Sequence, residues 1–166
     1  MNYKPILFLD IDDVIALESQ YNSNSKKWNK EFNIYSFDSK CVKILNEIIE
    51  KTNPTIILSS DWKNHYTLEQ INQIFELNKV NSKVIDYTST LWGIQFKDSR
   101  TELEICRATE ILNYVKEHNI ENYVAIDDLN LEFWIPNNFI HIKRFREGIK
   151  QCGIKDKIIA KLINNK

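Results

Sequence analysis

Residues Ile6 to Val14 read ILFLDIDDV, and no other stretch constrains the chain as strongly. Four apolar residues, Ile6 to Leu9, form a short buried-strand signal that runs straight into Asp10, Ile11, Asp12 and Asp13. Three carboxylates in four positions repel and raise one another's pKa, so a cation is expected beside them. Asp10 and Asp12 flank Ile11, which can stay packed while two acids reach one site at the strand's C-terminal end. In open α/β sheets that edge is where ligands bind. The same residues also suit an acidic turn or a helix N-cap, so the rest of the chain has to decide.

Strand signals recur at Thr55 to Leu58, Lys83 to Tyr87, Tyr123 to Ile126 and Phe139 to Ile142. Helical patterns separate them. Cys41, Leu45, Ile48 and Ile49 make one apolar face on a helix capped by Asp38 or Ser36 and stopped at Asn53-Pro54. Further helices are predicted at about Thr67 to Lys79, Thr101 to His118 and Lys155 to Leu162. A short helical turn from Asn130 breaks at Pro136. Strands alternating with helices predict an α/β fold: a three-layer, Rossmann-like parallel sheet of five strands with helices on both faces. Residues 18 to 35 are polar, with Tyr21, Trp28, Phe32 and Tyr35 interleaved. They read as a loop or flap over the end of the first strand, whose aromatics either pin it to the body or stack on a base or sugar.

A length of 166 residues suits one domain, 1–166, with the flap as an insertion. The formal net charge of −1 excludes a broad basic surface drawing the protein onto nucleic acid, though not a local basic patch. Cys41, Cys106 and Cys152 lack the paired spacing of a zinc site and read as reduced thiols. The N-terminus turns acidic too early for a signal peptide, and no apolar run reaches membrane-spanning length. A soluble, cytoplasmic protein with no membrane partner is expected.

Three strand signals end in polar clusters: the acids at 10 to 13, the hydroxyls of Ser59 and Ser60, and Asp127 with Asp128. In a parallel sheet these ends share one edge, so residues far apart in sequence can meet there. Oxygen-only ligation by two or three carboxylates suits Mg²⁺, which keeps its waters and is completed by a substrate phosphate. The three histidines form no set with the cysteines. Trp62 follows the second cluster closely enough to border the site. Asp127-Asp128 taken alone also fits a helix cap.

FLDIDDV resembles the first motif of the haloacid dehalogenase (HAD) superfamily. SSDWK, RATEILNYV…YVAIDD and HIKRFREGI resemble a capless branch that includes polynucleotide kinase-phosphatase and RNA-repair phosphatase domains. The likeness covers about residues 5 to 145. It implies a Mg²⁺-dependent phosphatase with Asp10 as nucleophile and Asp12 as general acid and base. It further implies that Ser59, or else Ser60, binds the phosphoryl group. Arg107 is then the phosphate-site cation, ahead of Lys97 and Arg100, and Asp10, Asp12, Asp127 and Asp128 hold the metal. Asp13 stands where many members have glycine. Lys63 stands where this branch often has arginine, which makes Lys63 and Trp62 candidate substrate contacts. Neither interval between motifs has room for a full cap domain, so an open site is expected. Such a site suits large substrates such as nucleic-acid ends or phosphoproteins, although some capless enzymes take small molecules. The partner is a phosphorylated substrate, with a polynucleotide or nucleotide as the candidate the resemblance suggests. The competing readings are a PIN-like nuclease, a phosphate-receiver domain and a non-catalytic phosphate-binding module.

Overall fold

The computed structural model describes residues 4–17, 28–91, 99–143 and 146–164. In chain order the elements are β1 (Ile6–Leu9), β2 (Trp28–Asn29), β3 (Ile34–Tyr35), α1 (Ser39–Thr52), β4 (Thr55–Leu58), α2 (Leu68–Leu77), β5 (Val84–Tyr87), α3 (Arg100–Glu117), β6 (Tyr123–Asp127), β7 (Phe139–His141) and α4 (Ile154–Asn164). Two short 3-10 turns lie at Asp61–Asn64 and Gly148–Lys150. The main sheet has the order β5-β4-β1-β6-β7, and every neighbouring pair in it is parallel. The five-stranded parallel α/β sheet expected from the sequence is therefore present. Chain order leaves β1 in both directions, through β4 to β5 and through β6 to β7. That reversal makes the C-terminal edge beside β1 the crevice of the fold.

Alternation along the strands splits the core in two. Leu7, Leu9, Ile56, Leu58, Val124 and Ile126 pack with Leu45 and Ile48 of α1, Ile71 and Phe75 of α2, and Ile158 of α4. Phe8, Ile57 and Ala125 point the other way, onto Ala108, Ile111 and Tyr114 of α3. Phe8 meets the rings of Tyr114 and Tyr123 edge-on at 5.7 and 5.6 Å. Leu103, Ile105 and Leu112 of α3, apolar in the sequence, are exposed. The buried stripe of this helix instead includes Arg107 and Glu110, which line the crevice beside Asp10 rather than the core.

Capping chemistry sets the helix starts. Asp38 accepts from the backbone N–H of Lys40 and Cys41 at 3.0 and 2.9 Å, and Lys150 Nζ donates to its second oxygen at 2.8 Å. Burial alone would raise the Asp38 pKa, but the lysine and the backbone donors outweigh it and hold the carboxyl below its ordinary value. Thr67 and Gln70 form a reciprocal capping box on α2.

The turn leaving β1 is one tight coil. Val14, Ile15 and Ala16 all donate backbone N–H bonds to Ile11 O, and Asp13 adopts a φ of 53°. Gly148 locks this turn from the far end of the chain. Its φ is +55°, and a Cβ there would lie 2.3 Å from Val14 O, so only glycine is accommodated. Of the segment 18–35, residues 28–35 form a two-stranded antiparallel ribbon pairing Asn29 with Ile34. Phe32 and Ile34 are buried in the main core, so these two residues pin the ribbon to the body. Tyr21, Lys26 and Lys27 lie outside the described residues, as do Trp92 and Lys97. Among the described residues no cap domain intervenes over the crevice, and no helix is long and apolar enough to cross a membrane.

Candidate active site

Sheet register builds the centre of the site. Phe8 pairs with Ile57 and Ala125, and Leu9 with Leu58 and Ile126. The ladder runs one step further, with Ser59 N donating to Leu9 O at 2.9 Å and Asp10 N to Ile126 O at 3.2 Å. Asp10, Ser59 and Asp127 therefore stand in one row at the ends of three adjacent strands. The pleat gives them the same side as Phe8, Ile57 and Ala125, the side that α3 covers.

Arg107 reaches down from α3 into that row. Its Nη1 donates to Asp10 Oδ1 at 3.1 Å, to Asp127 Oδ2 at 2.7 Å and to the backbone carbonyl of Ser59; its Nη2 donates to Asp61 Oδ1 at 3.3 Å. Asp10, Arg107 and Asp127 are all buried, at 4%, 7% and 1% exposure. Burial and the neighbouring Asp127 push the Asp10 carboxyl well above its ordinary pKa, with Arg107 only partly offsetting them. Asp127 is raised by burial to about 6, although Arg107 and the Leu129 N–H, 2.9 Å away, pull it down. Burial would by itself weaken the charged form of Arg107, but Asp127 and Asp10 reverse this and leave it more firmly cationic than usual. One guanidinium thus serves two buried acids that repel each other.

Asp10, Asp127 and Asp128 each offer a carboxylate oxygen lying within 4.8 Å of the others. The donors are all oxygen and the acids outnumber the arginine, which fits a hard divalent cation. Ser59 Oγ is buried beside this cluster without a hydrogen-bond partner, and the Ser60 hydroxyl lies close enough to Asp10 to pull its pKa down. Orphaned hydroxyls are rare in protein interiors, and that of Ser59 is free to bond a ligand. Asp10, Asp12, Asp61, Leu103, Arg107 and Leu129 line a cleft of about 180 Å³.

Asp12 lies at the mouth, two residues on, with its Oδ2 accepting from Trp62 Nε1 at 2.9 Å. Crowding of its carboxyl against low-dielectric surroundings raises its pKa, against the pull of the indole N–H. Trp62 therefore borders the site, as its position after β4 suggested. Lys63 is elsewhere. Its Nζ bonds Glu110 Oε2 at 2.5 Å and Thr88 Oγ1 at 3.0 Å in a buried pocket, and burial lowers its pKa despite the glutamate. Arg100 is exposed and bonds the Asp128 backbone carbonyl at 2.8 Å and Asp128 Oδ2 at 3.3 Å. Of the three basic candidates, Arg107 touches Asp10, Arg100 touches the outer acid, and Lys97 is outside the described residues.

Two participants stand outside the site residues expected from the sequence, in which Asp61 figures as the acceptor candidate of the phosphate-receiver reading. Asp61, directly after the serines, is the outermost acid on Arg107, and Glu110 ties Lys63 to α3 and also accepts from Leu91 N at 3.1 Å. The spacing of Arg107 and Glu110, three apart on one helix face, was the available signal.

A doubly wound sheet whose central strand delivers Asp-x-Asp beneath a helix arginine, opposite an acidic β6 end, defines a HAD-superfamily α/β domain without a cap. Within that class, residues 6–151 match the family model described as the HAD domain in Swiss Army Knife RNA repair proteins, and the chain belongs to that family. No curated protein shows detectable similarity to the chain. Membership displaces the PIN-like nuclease and phosphate-receiver readings.

Proposed function

We propose that the chain is a Mg²⁺-dependent phosphomonoesterase that works through an aspartyl-phosphate on Asp10 and acts on phosphorylated nucleic-acid ends or nucleotides. The observation that carries this reading is the contact of Arg107 with both Asp10 and Asp127 beside the unpartnered hydroxyl of Ser59. An Asp10 oxygen attacks phosphorus in line as the bond to the leaving oxygen breaks. Ser59 or Ser60 donates to the non-bridging oxygens, and Arg107 supplies positive charge at the same place. Asp12, whose raised pKa favours carrying a proton, gives it to the departing oxygen. The same carboxylate then takes a proton from the water that cleaves the acyl-phosphate. Asp10, Asp127, Asp128 and the Asp12 backbone carbonyl would hold Mg²⁺, which offsets the repulsion between carboxylate and phosphate.

The direct test is phosphate release from an aryl phosphate, nucleotides, 3′- and 5′-phosphorylated oligonucleotides, sugar phosphates and phosphopeptides, with Mg²⁺ or with EDTA. Hydrolysis of monoesters that EDTA abolishes is expected, with oligonucleotide ends or nucleotides preferred over phosphopeptides. Cleavage of phosphodiesters with monoesters left untouched would sink the reading.

Leaving-group chemistry separates Asp12 from Asp10. Proton donation contributes roughly 10²–10⁴-fold, and matters most when the departing oxygen is a poorly stabilised alkoxide. In single-turnover experiments Asp12→Asn is expected to lose far more phosphoryl-transfer rate on a sugar phosphate than on a nitrophenyl ester. Its phosphoenzyme should also accumulate and be trapped by acid, since the base that activates water is gone. Equal losses on both esters without trapped intermediate would remove Asp12 from proton transfer.

A further inference from the structure

A second groove opens on the other side of Asp12. It holds about 340 Å³ between β3, which contributes Ile34 and Tyr35, and the segment carrying Trp62, His65 and Tyr66. Asp12 and Asp61 line both this groove and the cleft beside Asp10, so the two meet at the acid that would protonate a leaving group.

The walls are held in place before any ligand arrives. Trp62 is tied through its indole N–H to Asp12 and packs against Phe37 and Tyr66, with ring centres 5.7 and 5.4 Å away. The Tyr66 hydroxyl donates to Phe32 O at 2.8 Å, joining the two sides of the groove. A preorganised aromatic surface favours flat rings, because little side-chain freedom remains to be lost. No lysine or arginine lines the groove among the described residues, while Asp12 and Asp61 make its inner end acidic. A second phosphate is unwelcome there. Asn33 and His65, both exposed, supply hydrogen-bonding edges at the rim, which suits a heterocycle better than a plain phenyl ring. The volume sits at the low end for small-molecule pockets, enough for one nucleoside and not for a run of nucleotides.

We propose that this groove is the leaving-group subsite and takes the base of the nucleotide that bears the phosphate, an inference that rests on the phosphomonoesterase reading. The base lies between Tyr35 and the Trp62–Tyr66 wall, and its sugar oxygen is delivered to Asp12.

The test compares kcat/KM for 3′-AMP and 5′-AMP with that for ribose 5-phosphate and phenyl phosphate, in wild type, Tyr35→Leu and Tyr66→Leu. A parallel arm measures binding of the same nucleotides and of ribose 5-phosphate to Asp10→Asn by calorimetry. Wild type should prefer at least one nucleotide over ribose 5-phosphate by roughly tenfold or more, the scale of one base–aromatic stack. Each leucine variant should cut that ratio severalfold, and two variants on different walls guard against one of them misfolding. Equal kcat/KM for nucleotides and ribose 5-phosphate in an active enzyme would overturn the subsite and leave the phosphatase standing. Preference for phenyl phosphate over both nucleotides would also overturn it and point to an aryl ester. If no ester is hydrolysed, yet a nucleotide binds and Tyr66→Leu abolishes the binding, the phosphatase reading falls and the groove remains a nucleotide site only.

Discussion

Asp10→Asn is expected to abolish monoester hydrolysis, by on the order of 10⁴-fold or more, the scale on which loss of a nucleophile is felt. It should do so without unfolding the protein. Asp10 is buried 3.1 Å from Arg107 but also faces Asp127, and burial with that repulsion pushes its pKa well up, so its charge is a cost to the fold. Asparagine keeps the shape and removes the repulsion, while Arg107 retains Asp127 at 2.7 Å and Asp61 at 3.3 Å. The variant should therefore melt at the wild-type temperature or above it, each kcal/mol gained being worth about 2–4 °C in a chain of this size. Thermal unfolding and phosphate release on one preparation read the two effects separately. No acid-stable phosphoenzyme should form. A variant that still turns over monoesters at more than a few per cent would remove Asp10 as nucleophile. A wild type and a variant equally inactive on every monoester would instead favour a non-catalytic phosphate-binding module.

Much of this arrangement could be read from the residues, and the exceptions have physical causes. Runs such as ILFL, TIIL and YVAID announce strands because both faces of a parallel sheet are buried, so the apolar signal is continuous. Polar residues directly after such runs must lie at the strand ends, which is why Asp10, Ser59 and Asp127 could be grouped before any register was known. Helix α3 was harder. Its buried stripe includes Arg107 and Glu110, while Leu103, Ile105 and Leu112 are exposed, so apolar periodicity does not mark its functional face. Spacing to Asp127 in a family motif marks Arg107, whereas no motif marks Glu110. Lys63 shows the opposite limit. Its place in SSDWK marks it as a candidate substrate contact, and nothing local in the sequence announces the glutamate 47 positions later that pairs with it beside the cleft. Long-range charge pairing of that kind leaves no local pattern. The groove at Tyr35 and Trp62 is half legible: the aromatics of the flap stand out in the sequence, but their meeting with the segment after β4 is a tertiary event.

Arg107→Ala is expected to damage both stability and turnover, and the two losses should respond differently to Mg²⁺. Removing one partner from a buried ion pair typically costs about 3–5 kcal/mol, because the remaining charge is left uncompensated. Here two acids, Asp10 and Asp127, lose the same guanidinium, and Ser59 loses a donor to its carbonyl. At 2–4 °C per kcal/mol the melting temperature should fall by roughly 6–20 °C. Arg107→Lys should recover only part of this, since an ammonium does not reproduce a fork that reaches Asp10, Asp127 and Asp61 together. A divalent cation drawn to Asp10, Asp127 and Asp128 neutralises the same acids. Added Mg²⁺ should consequently raise the melting temperature of Arg107→Ala more than that of wild type. Turnover should stay depressed by roughly 10²–10³-fold at saturating Mg²⁺, as expected when one charge-stabilising donor is lost from a transition state. Arg100→Ala is the internal comparison: Arg100 is 62% exposed at its side chain and, among the described residues, pairs with Asp128 and Glu104, so a loss of a few-fold is expected. Lys97→Ala completes the series. A near-normal Arg107→Ala enzyme beside an inactive Arg100→Ala or Lys97→Ala would move the phosphate-site charge to that residue. It would leave Arg107 as a counter-ion that serves only the buried acids.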